Sequence, residues 1–261
     1  MTILNKIIKH KEVEVSRDKG KVSIDELRSS DLFSRNCFPL PDYILDNNKT
    51  GIIAEYKRAS PSKGIINDKS CVKETVLGYQ EAGASAISVL TDTEFFKGTL
   101  ADLKEAREAL ELPLLRKDFI VDPYQIIEAK SYGADIILLI AACLEPDEVL
   151  RLSEMAKELG LNVLLEVHNL KELEANLFDS IDAVGVNNRN LKDFTVDLNH
   201  SYDLVSQIPD RYIKISESGI SDPKTINQLK IAGFQGFLIG ENFMSQDDPS
   251  LAIKEFVKDI N

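Results

Sequence analysis

The feature that most constrains this chain is a strand and helix pattern that repeats eight times from about residue 50 onward. Each unit has a short run rich in Ile, Val and Leu, then a polar loop, then a longer stretch with helical periodicity. Such alternation builds a parallel sheet covered by helices, and eight units can close into a barrel. The predicted strands span residues 51–57, 86–90, 114–118, 136–140, 163–166, 183–187, 212–217 and 236–240.

The fold class predicted from this repeat is α/β, a (β/α)8 TIM barrel that forms one catalytic domain over residues 49–261. The alternative is an open, doubly wound sheet, which usually carries a glycine-rich phosphate loop after its first strand. Residues 56–61 contain no such loop. Predicted helices end at glycine and start at an acidic residue followed by proline, at positions 83, 133 and 233 and at positions 122–123, 145–146 and 222–223.

Residues 1–48 lie outside the repeat and are predicted to form a helical N-terminal extension packed on the barrel. Apolar residues from Ile3 to Ile8 recur at helical spacing, and Ser23 followed by Glu26 is typical of a second helix start. The Phe-Pro-Leu-Pro run at 38–41 predicts a stiff link into the first strand. The extension is either a packing arm over the barrel floor or a cover over part of the active-site mouth.

The charge balance limits the partners that this chain can bind. With 31 basic and 43 acidic side chains the net charge is −12, the wrong sign for a surface that neutralises nucleic-acid phosphates. An anionic small molecule can still be drawn into a local cationic cleft, because clefts focus the electrostatic field. We therefore expect a small-molecule substrate and no nucleic acid, with the protein a monomer or a weak homo-oligomer.

The cysteines and histidines give no metal-binding pattern. Three cysteines, at 37, 71 and 143, are far apart and predicted to be reduced core thiols, and the histidines at 10, 168 and 200 are predicted to be surface or packing residues. The longest apolar run, residues 136–144, is too short to span a membrane. We therefore expect a soluble cytoplasmic protein without a bound metal or a membrane partner.

Ionisable residues stand where the predicted strands end. Glu55 and Lys57 lie two residues apart at the end of the first strand, and Lys117, Glu166 and Glu217 end the third, fifth and seventh. Chemistry in such barrels sits at the carboxyl ends of the strands. Buried structural ion pairs are the alternative. Because buried charges are costly unless function requires them, the five together predict an active site.

Further polar groups and glycines follow the late strands of the repeat. Asn187 and Arg189 come after the sixth strand, and Ser218-Gly219 and Gly240 come after the seventh and eighth. Glycines let backbone N–H groups approach an anion, and a helix start adds its dipole, so these turns predict a phosphate cradle. The alternative is that both glycines only relieve tight turns. At Glu241 the carboxylate would have to turn away from a bound phosphate.

Read together, six blocks of sequence resemble the indole-3-glycerol phosphate synthase family. They are residues 53–62, 114–120, 165–167, 185–191, 216–220 and 237–241, and the resemblance covers the whole barrel and extends to the helical arm. Glu-x-Lys-x-x-Ser-Pro-Ser and Leu-x-Lys-Asp-Phe are the specific blocks. The resemblance implies a reaction without a cofactor on an anthranilate-bearing ribulose phosphate, in which the aryl ring attacks the ketone, carbon dioxide leaves and water leaves.

The resemblance also implies a role for each matching residue. Lys117 matches the general acid at the ketone, and Glu166 matches the carboxylate that acts as base during dehydration. Lys57 matches the lysine that contacts the substrate carboxylate. The remaining matches are orienting carboxylates (Glu55, Glu217), groups that position the substrate (Asn187, Ser218), and substrate or phosphate contacts at the rim (Ser60, Arg189, Gly219, Gly240).

Three rival functions remain from the sequence. A Schiff-base aldolase would use Lys117 or Lys57 as nucleophile. A phosphoribosylanthranilate isomerase would need a Cys and Asp pair at strand ends, and none of the three cysteines falls there. A barrel that binds a sugar phosphate without turnover is the third. The loop from Ser60 to Asn67, with its Ser, Lys and Gly content, is a candidate lid.

Overall fold

The computed structural model describes residues 2–191 and 193–260. Its strands are β1 (Ile52–Tyr56), β2 (Ala59–Ser60), β3 (Gly64–Ile65), β4 (Ala86–Leu90), β5 (Leu114–Lys117), β6 (Ile136–Ile140), β7 (Asn162–Val167), β8 (Ala183–Asn187), β9 (Ile213–Glu217) and β10 (Gly236–Ile239). Its helices are α1 (Ile3–Lys19), α2 (Ile24–Arg28), α3 (Leu40–Ile44), α4 (Val72–Glu81), α5 (Thr93–Phe96), α6 (Leu100–Ala109), α7 (Pro123–Ser131), α8 (Pro146–Glu158), α9 (Leu170–Ala175), α10 (Asn199–Leu204), α11 (Pro223–Ala232), α12 (Glu241–Met244) and α13 (Pro249–Val257), with a 3-10 turn at Val205–Gln207.

Eight of these strands close into a parallel barrel in the order β1-β10-β9-β8-β7-β6-β5-β4. The ring closes at β1, where Ala54 pairs with Ile87 of β4 on one side and with Ile239 of β10 on the other. The predicted TIM barrel is confirmed, and the open sheet is wrong. Each predicted strand lies within two residues of the observed one, and Lys57 follows β1 rather than ending it.

The helix signals in the sequence mark real helix ends. Asp122 and Asp222 cap α7 and α11 by accepting hydrogen bonds from backbone N–H groups, and each helix begins at the following proline. Gly83, Gly133 and Gly233 have φ values of 90°, 88° and 114°, a left-handed backbone that favours glycine after a helix. These short turns return the chain to the next strand at the same end of the barrel.

The barrel interior is a packed apolar core, as in other barrels of this class. It contains Ile53, Leu115, Leu164 and Ile215 from four different strands. Outward residues of the same strands pack with the helices in a second apolar layer. Since Leu115 faces the interior and side chains alternate along a strand, Lys117 faces it too, while Arg116 points into the helix layer.

The N-terminal helices contact both ends of the barrel. Leu40 and Ile44 of α3 belong to the interior cluster and close the floor, where the Leu40 backbone N–H donates to Asn162 Oδ1 at 3.2 Å. The predicted stiff link at 38–41 thus includes the start of a helix. Helix α1 lies at the opposite end, because Lys11 Nζ contacts Asp92 at 3.0 Å and Asp118 at 2.8 Å, just beyond β4 and β5.

The prediction that all three cysteines are core thiols is wrong for one of them. Cys71 is exposed at the start of α4, so it is not a core thiol; its side chain precedes the helix and turns outward. Cys37 and Cys143 are half-buried, and all three thiols are free. Within residues 2–191 and 193–260, no helix is long and apolar enough to cross a membrane.

Candidate active site

A cavity of about 700 Å³ opens at the carboxyl end of the barrel. Its floor is formed by residues at the ends of the strands, and its wall includes Ile3, Leu4 and Ile7 from α1. All eleven predicted site residues line it: Glu55, Lys57, Ser60, Lys117, Glu166, Asn187, Arg189, Glu217, Ser218, Gly219 and Gly240. The barrel therefore brings together residues that lie up to 185 positions apart in the sequence, from 55 to 240.

Lys117 is the centre of the charged floor. Its Nζ lies 3.0 Å from Glu166 Oε2 and 3.2 Å from Glu217 Oε2. Burial lowers the pKa of Lys117, but the charges of Glu166, Glu217 and Glu55 outweigh burial and raise it above its ordinary value. Lys117 is therefore an ammonium group at neutral pH, oriented by two carboxylates.

The two carboxylates beside Lys117 differ in their other partners. Glu166 Oε1 accepts a hydrogen bond from Asn187 Nδ2 at 3.0 Å, whereas Glu217 Oε1 is buried without a hydrogen-bond partner among the described residues. Burial raises the pKa of both carboxyls. For Glu166 the charge of Lys117 and the hydrogen bonds from Asn187 and Lys117 outweigh burial, so the pKa of Glu166 is lowered. The pKa of Glu217 stays raised, because burial and the charge of Glu166 exceed the effect of Lys117.

Lys57 and Glu55 form a second ion pair on the same floor, with Nζ 2.6 Å from Oε1. Glycines on the neighbouring strands leave room for the carboxylates. A Cβ at Gly240 would collide with the Glu55 carboxylate, and one at Gly185 would lie 3.1 Å from Glu217 Cδ and closer still to its Oε1. Gly240 therefore has a packing reason to be glycine besides the predicted approach of an anion.

Cationic side chains at the rim are held by one carboxylate. Glu241 lies 3.2 Å from Lys63 Nζ and 3.3 Å from Arg189 Nη2, so its side chain joins the loop after β1 to the loop after β8. Ser218 and Gly219 both have positive φ, 69° and 79°, which turns the chain sharply after β9. An anion bound between Lys63 and Arg189 would replace Glu241 as their partner.

The side of the cavity away from the rim cations is apolar. Phe96 and Phe119 lie with ring centroids 6.1 Å apart, and Leu138, Ile140 and the α1 residues extend the same wall. An aromatic ring can pack there while charged groups of the same molecule reach the lysines. The arrangement thus suits a molecule with an aryl group, a carbonyl beside Lys117 and an anionic end.

Sequence reasoning missed His168, which lies beside the site rather than at the surface or in the apolar core. Its Nε2 is 3.5 Å from Glu166 Oε1 and its Nδ1 is 3.3 Å from Glu172 Oε2. The available signal was its position two residues after Glu166, on the same face of the chain as β7 ends. Lys63 was also missed as a rim cation, and so was the apolar role of Phe96; Phe119, by contrast, stands in the Leu-x-Lys-Asp-Phe block, and a cover of the mouth by the N-terminal extension was one of the two alternatives.

None of the three cysteines lines the cavity, and the described residues contain no cluster of three or more His, Cys, Asp or Glu suited to a metal ion.

The loop after β1 contains a short hairpin of β2 and β3, in which Ser60 pairs with Gly64. Arg58 ties the base of that loop to Asp102 of α6 by two hydrogen bonds, at 2.5 and 2.8 Å.

Comparison with known proteins gives consistent matches over nearly the whole chain. A family model described as indole-3-glycerol phosphate synthase matches residues 4–256. Curated proteins of that name from Bacteroides thetaiotaomicron and Polynucleobacter asymbioticus are 45% and 42% identical, covering 99% and 97% of this chain and 98% of each relative.

Solved structures support the fold alone. A chain of the tryptophan synthase complex of Pyrococcus furiosus aligns with a TM-score of 0.60 at 17% identity, over 81% of this chain and 98% of that one. A thiamine phosphate pyrophosphorylase from the same organism aligns with a TM-score of 0.59 at 19% identity, over 81% of this chain and 96% of that one.

Proposed function

The chain belongs to the indole-3-glycerol phosphate synthase family, and we propose that the cavity at the carboxyl end of its barrel carries out that reaction with Lys117 as the general acid. The enzyme is a carboxy-lyase of tryptophan biosynthesis. It converts 1-(2-carboxyphenylamino)-1-deoxyribulose 5-phosphate to indole-3-glycerol phosphate by ring closure, loss of carbon dioxide and loss of water. The observation that carries the assignment is the position of Lys117 between Glu166 and Glu217.

Lys117 protonates the ketone oxygen as the aryl carbon attacks. Its raised pKa keeps the proton on the amine in the free enzyme. The proton is transferred when negative charge grows on the ketone oxygen and makes that oxygen more basic. The same raised pKa argues against a Schiff-base aldolase, which needs a neutral, nucleophilic lysine. The two carboxylates hold the ammonium group in one place, so that the proton is aimed at the substrate.

Glu166 becomes a base only after Lys117 has acted. While Lys117 is charged, the pKa of Glu166 is lowered and the carboxylate is a weak base. When Lys117 gives up its proton, the cation 3.0 Å away disappears and the proton affinity of Glu166 rises. The two residues thereby act in sequence: Lys117 donates during ring closure and Glu166 accepts during dehydration.

Lys57, paired with Glu55, is the cation for the departing carboxylate. It shares the cavity floor with Lys117, so one lysine can face the ketone and the other the carboxyl group of the same substrate. Asn187 orients Glu166 through its Nδ2 and holds the turn after β8 by accepting from the Arg189 backbone N–H at 2.9 Å. We assign Ser218 to positioning the substrate at the same floor.

The substrate phosphate binds at the rim. Ser60, Arg189 and the turns at Gly219 and Gly240 are its proposed contacts, with Lys63 as an added cation. The Glu241 carboxylate must leave Arg189 and Lys63 when the phosphate arrives, since two anions cannot share these cations at low cost. The loop that carries Ser60 and Lys63 then closes on the phosphate as a lid.

The setting of the enzyme is proposed from the sequence and the thiols. Free cysteines at 37, 71 and 143 fit a reducing cytoplasm. Residues 1–48 act as a helical extension of the 49–261 barrel, supported by the contacts of α1 at the mouth and of α3 at the floor. We further propose that the protein binds no nucleic acid, since its net charge of −12 has the wrong sign for phosphate contacts, and that it is a monomer or weak homo-oligomer.

The test is to mix purified protein with the carboxyphenylamino-deoxyribulose phosphate and follow indole fluorescence together with released carbon dioxide. We expect both signals to rise together without added metal or cofactor. A folded protein that binds the substrate and produces neither signal would contradict the proposal and indicate a ligand-binding barrel. Borohydride reduction that traps a covalent adduct at Lys117 would support the aldolase alternative instead.

A further inference from the structure

Two residues that we assign to substrate contact lie in a left-handed turn. Ser218 and Gly219 follow β9 with φ values of 69° and 79°, and both line the cavity. Glycine tolerates such a backbone, whereas for a serine it costs conformational energy, so the surroundings must hold it in place. A Cβ at Gly219 would lie 2.5 Å from Val196 Cγ1, so the loop after β8 packs directly against the turn. The turn therefore depends on contacts with the end of β8 and with the loop that follows it.

Asn188, the first residue after β8, makes these contacts. It is fully buried and does not line the cavity. Its Nδ2 donates to the backbone carbonyls of Glu217 at 3.0 Å and Ser218 at 3.1 Å, and Ser216 Oγ lies 3.1 Å away. Its backbone N–H donates to the same Glu217 carbonyl at 2.9 Å. One residue thus satisfies the carbonyls of two successive peptides at the point where the chain leaves β9.

Ser201 of α10 fixes the orientation of the Asn188 amide. Its backbone N–H and its hydroxyl donate to Asn188 Oδ1 at 3.1 and 2.9 Å. A backbone N–H can only donate and a carbonyl can only accept, so these partners direct the amide N–H groups at the turn. The Asn188 backbone carbonyl accepts from the Asp197 N–H at 2.9 Å, which fixes the loop beside Val196. Asn188 therefore joins β8, the turn after β9 and the start of α10.

We propose that Asn188 is a positioning residue of the reaction, which holds the turn at Ser218 and Gly219 in its left-handed conformation and so places both residues against the substrate. It acts through these two residues and does not touch the substrate itself. Without the Asn188 donor, the turn relaxes toward the backbone that serine prefers, which moves the Ser218 side chain and the Gly219 N–H out of position. This inference rests on the proposed function, in which both residues contact the substrate.

The test is Asn188→Asp, which keeps the shape of the side chain and replaces the donating amide nitrogen by an oxygen. The ionised carboxylate still accepts from Ser201 but repels the carbonyls of Glu217 and Ser218. We expect kcat/KM for indole formation to fall about 100-fold at high pH, as for a group misplaced by about 1 Å. The protonated carboxyl can donate to these carbonyls again, and burial raises its pKa, so the loss relative to wild type should shrink from about pH 8 to about pH 5.

Asn162→Asp is the matched control. Asn162 is buried at the floor of the barrel, where its Nδ2 donates to the backbone carbonyls of Phe38 and Asp135, both at 3.0 Å, and its Oδ1 accepts from the Leu40 N–H. It does not line the cavity. The same atom changes among the same kinds of partners, so this variant should lower the melting temperature and leave kcat/KM unchanged. A merely structural role of Asn188 would give that same result for both variants.

The outcomes separate this inference from the proposed function. Wild-type turnover together with an unchanged kcat/KM in folded Asn188→Asp would overturn the positioning role alone, and so would a loss that does not shrink at low pH. Wild-type protein without indole formation would overturn the proposed function. In that case the Kd of the carboxyphenylamino-deoxyribulose phosphate, measured by calorimetry, replaces kcat/KM, and equal values for wild type and Asn188→Asp would overturn the positioning role as well.

A milder variant keeps the inference testable if Asn188→Asp does not fold. Ser201→Ala removes one of the two donors to Asn188 Oδ1 and leaves the other in place. We expect kcat/KM to fall about fivefold, the size of one ordinary hydrogen bond. An unchanged kcat/KM in folded Ser201→Ala would overturn the positioning role of Asn188.

Discussion

Gly185→Ala is expected to disable the enzyme without unfolding it. Gly185 lies in β8, and a Cβ there would lie 3.1 Å from Glu217 Cδ, nearer still to Oε1, and 3.3 Å from Leu164 Cδ1. A carbon and an oxygen pack at about 3.2 Å or more, and Oε1 would lie far inside that limit, so the Glu217 carboxylate must retreat by about 1 Å. The contact between Lys117 Nζ and Glu217 Oε2, now 3.2 Å, then exceeds hydrogen-bonding distance.

The size of the effect follows from this displacement. A misplacement of about 1 Å in a catalytic group costs about 100-fold in rate, or about 2.7 kcal/mol of activation free energy. The assay is indole formation by Gly185→Ala, Glu217→Ala and the double variant, with melting temperatures measured alongside. Because truncation of Glu217 removes the obstruction, we expect Gly185→Ala to cost little more in the Glu217→Ala background.

Two results would refute this reasoning. Gly185→Ala with wild-type kcat would mean that Glu217 does not need its present position. An equal rate loss in the presence and absence of the Glu217 carboxylate would mean that the methyl group acts elsewhere, for instance on the barrel packing at Leu164.

Three further variants test other parts of the account. Lys11→Met leaves two buried aspartates without their shared cation, so the free energy of unfolding should fall by about 3 kcal/mol in a urea titration. Glu241→Gln frees the rim cations for phosphate and should lower KM severalfold with kcat unchanged in steady-state assays; a raised KM would contradict the rim assignment. The pKa of Glu217 is raised in the folded protein, so the protonated carboxyl stabilises the fold at pH values below the ordinary pKa of a glutamate, and this contribution is lost as the pH rises through the raised pKa. Denaturant titrations should therefore show that Glu217→Gln gains stability over wild type from about pH 5 to about pH 8.

The sequence predicted the barrel well because each unit carries its own signal. The apolar runs from β1 to β10 are separated by capped helices, and glycine and proline mark the boundaries. The hairpin of β2 and β3 has two residues per strand, too few for any alternation to be visible. The left-handed turn at Gly133 was readable as a helix end, whereas the exposure of Cys71 depends on packing that no local pattern records.

The charged floor was predictable because parallel strands of a barrel bring their carboxyl ends to one rim. Lys117 and Glu166 therefore meet although 49 positions separate them. Lys11 was missed, yet it lies four residues after Ile7 and four before Val15, on the buried face of α1, where a lysine needs a partner. His168 carries no motif, and its place beside Glu166 and Glu172 depends on how the chain leaves β7.

The most direct test of Lys117 as the general acid is the rate of indole formation by Lys117→Ala compared with wild type. Loss of the ammonium leaves Glu217 able to take up a proton, because its pKa is already raised, so the fold should remain intact by circular dichroism. We expect the variant to bind the substrate but to lose turnover by at least about 1000-fold. Near-normal indole formation by a folded Lys117→Ala protein would contradict the assignment of Lys117 as the acid at the ketone.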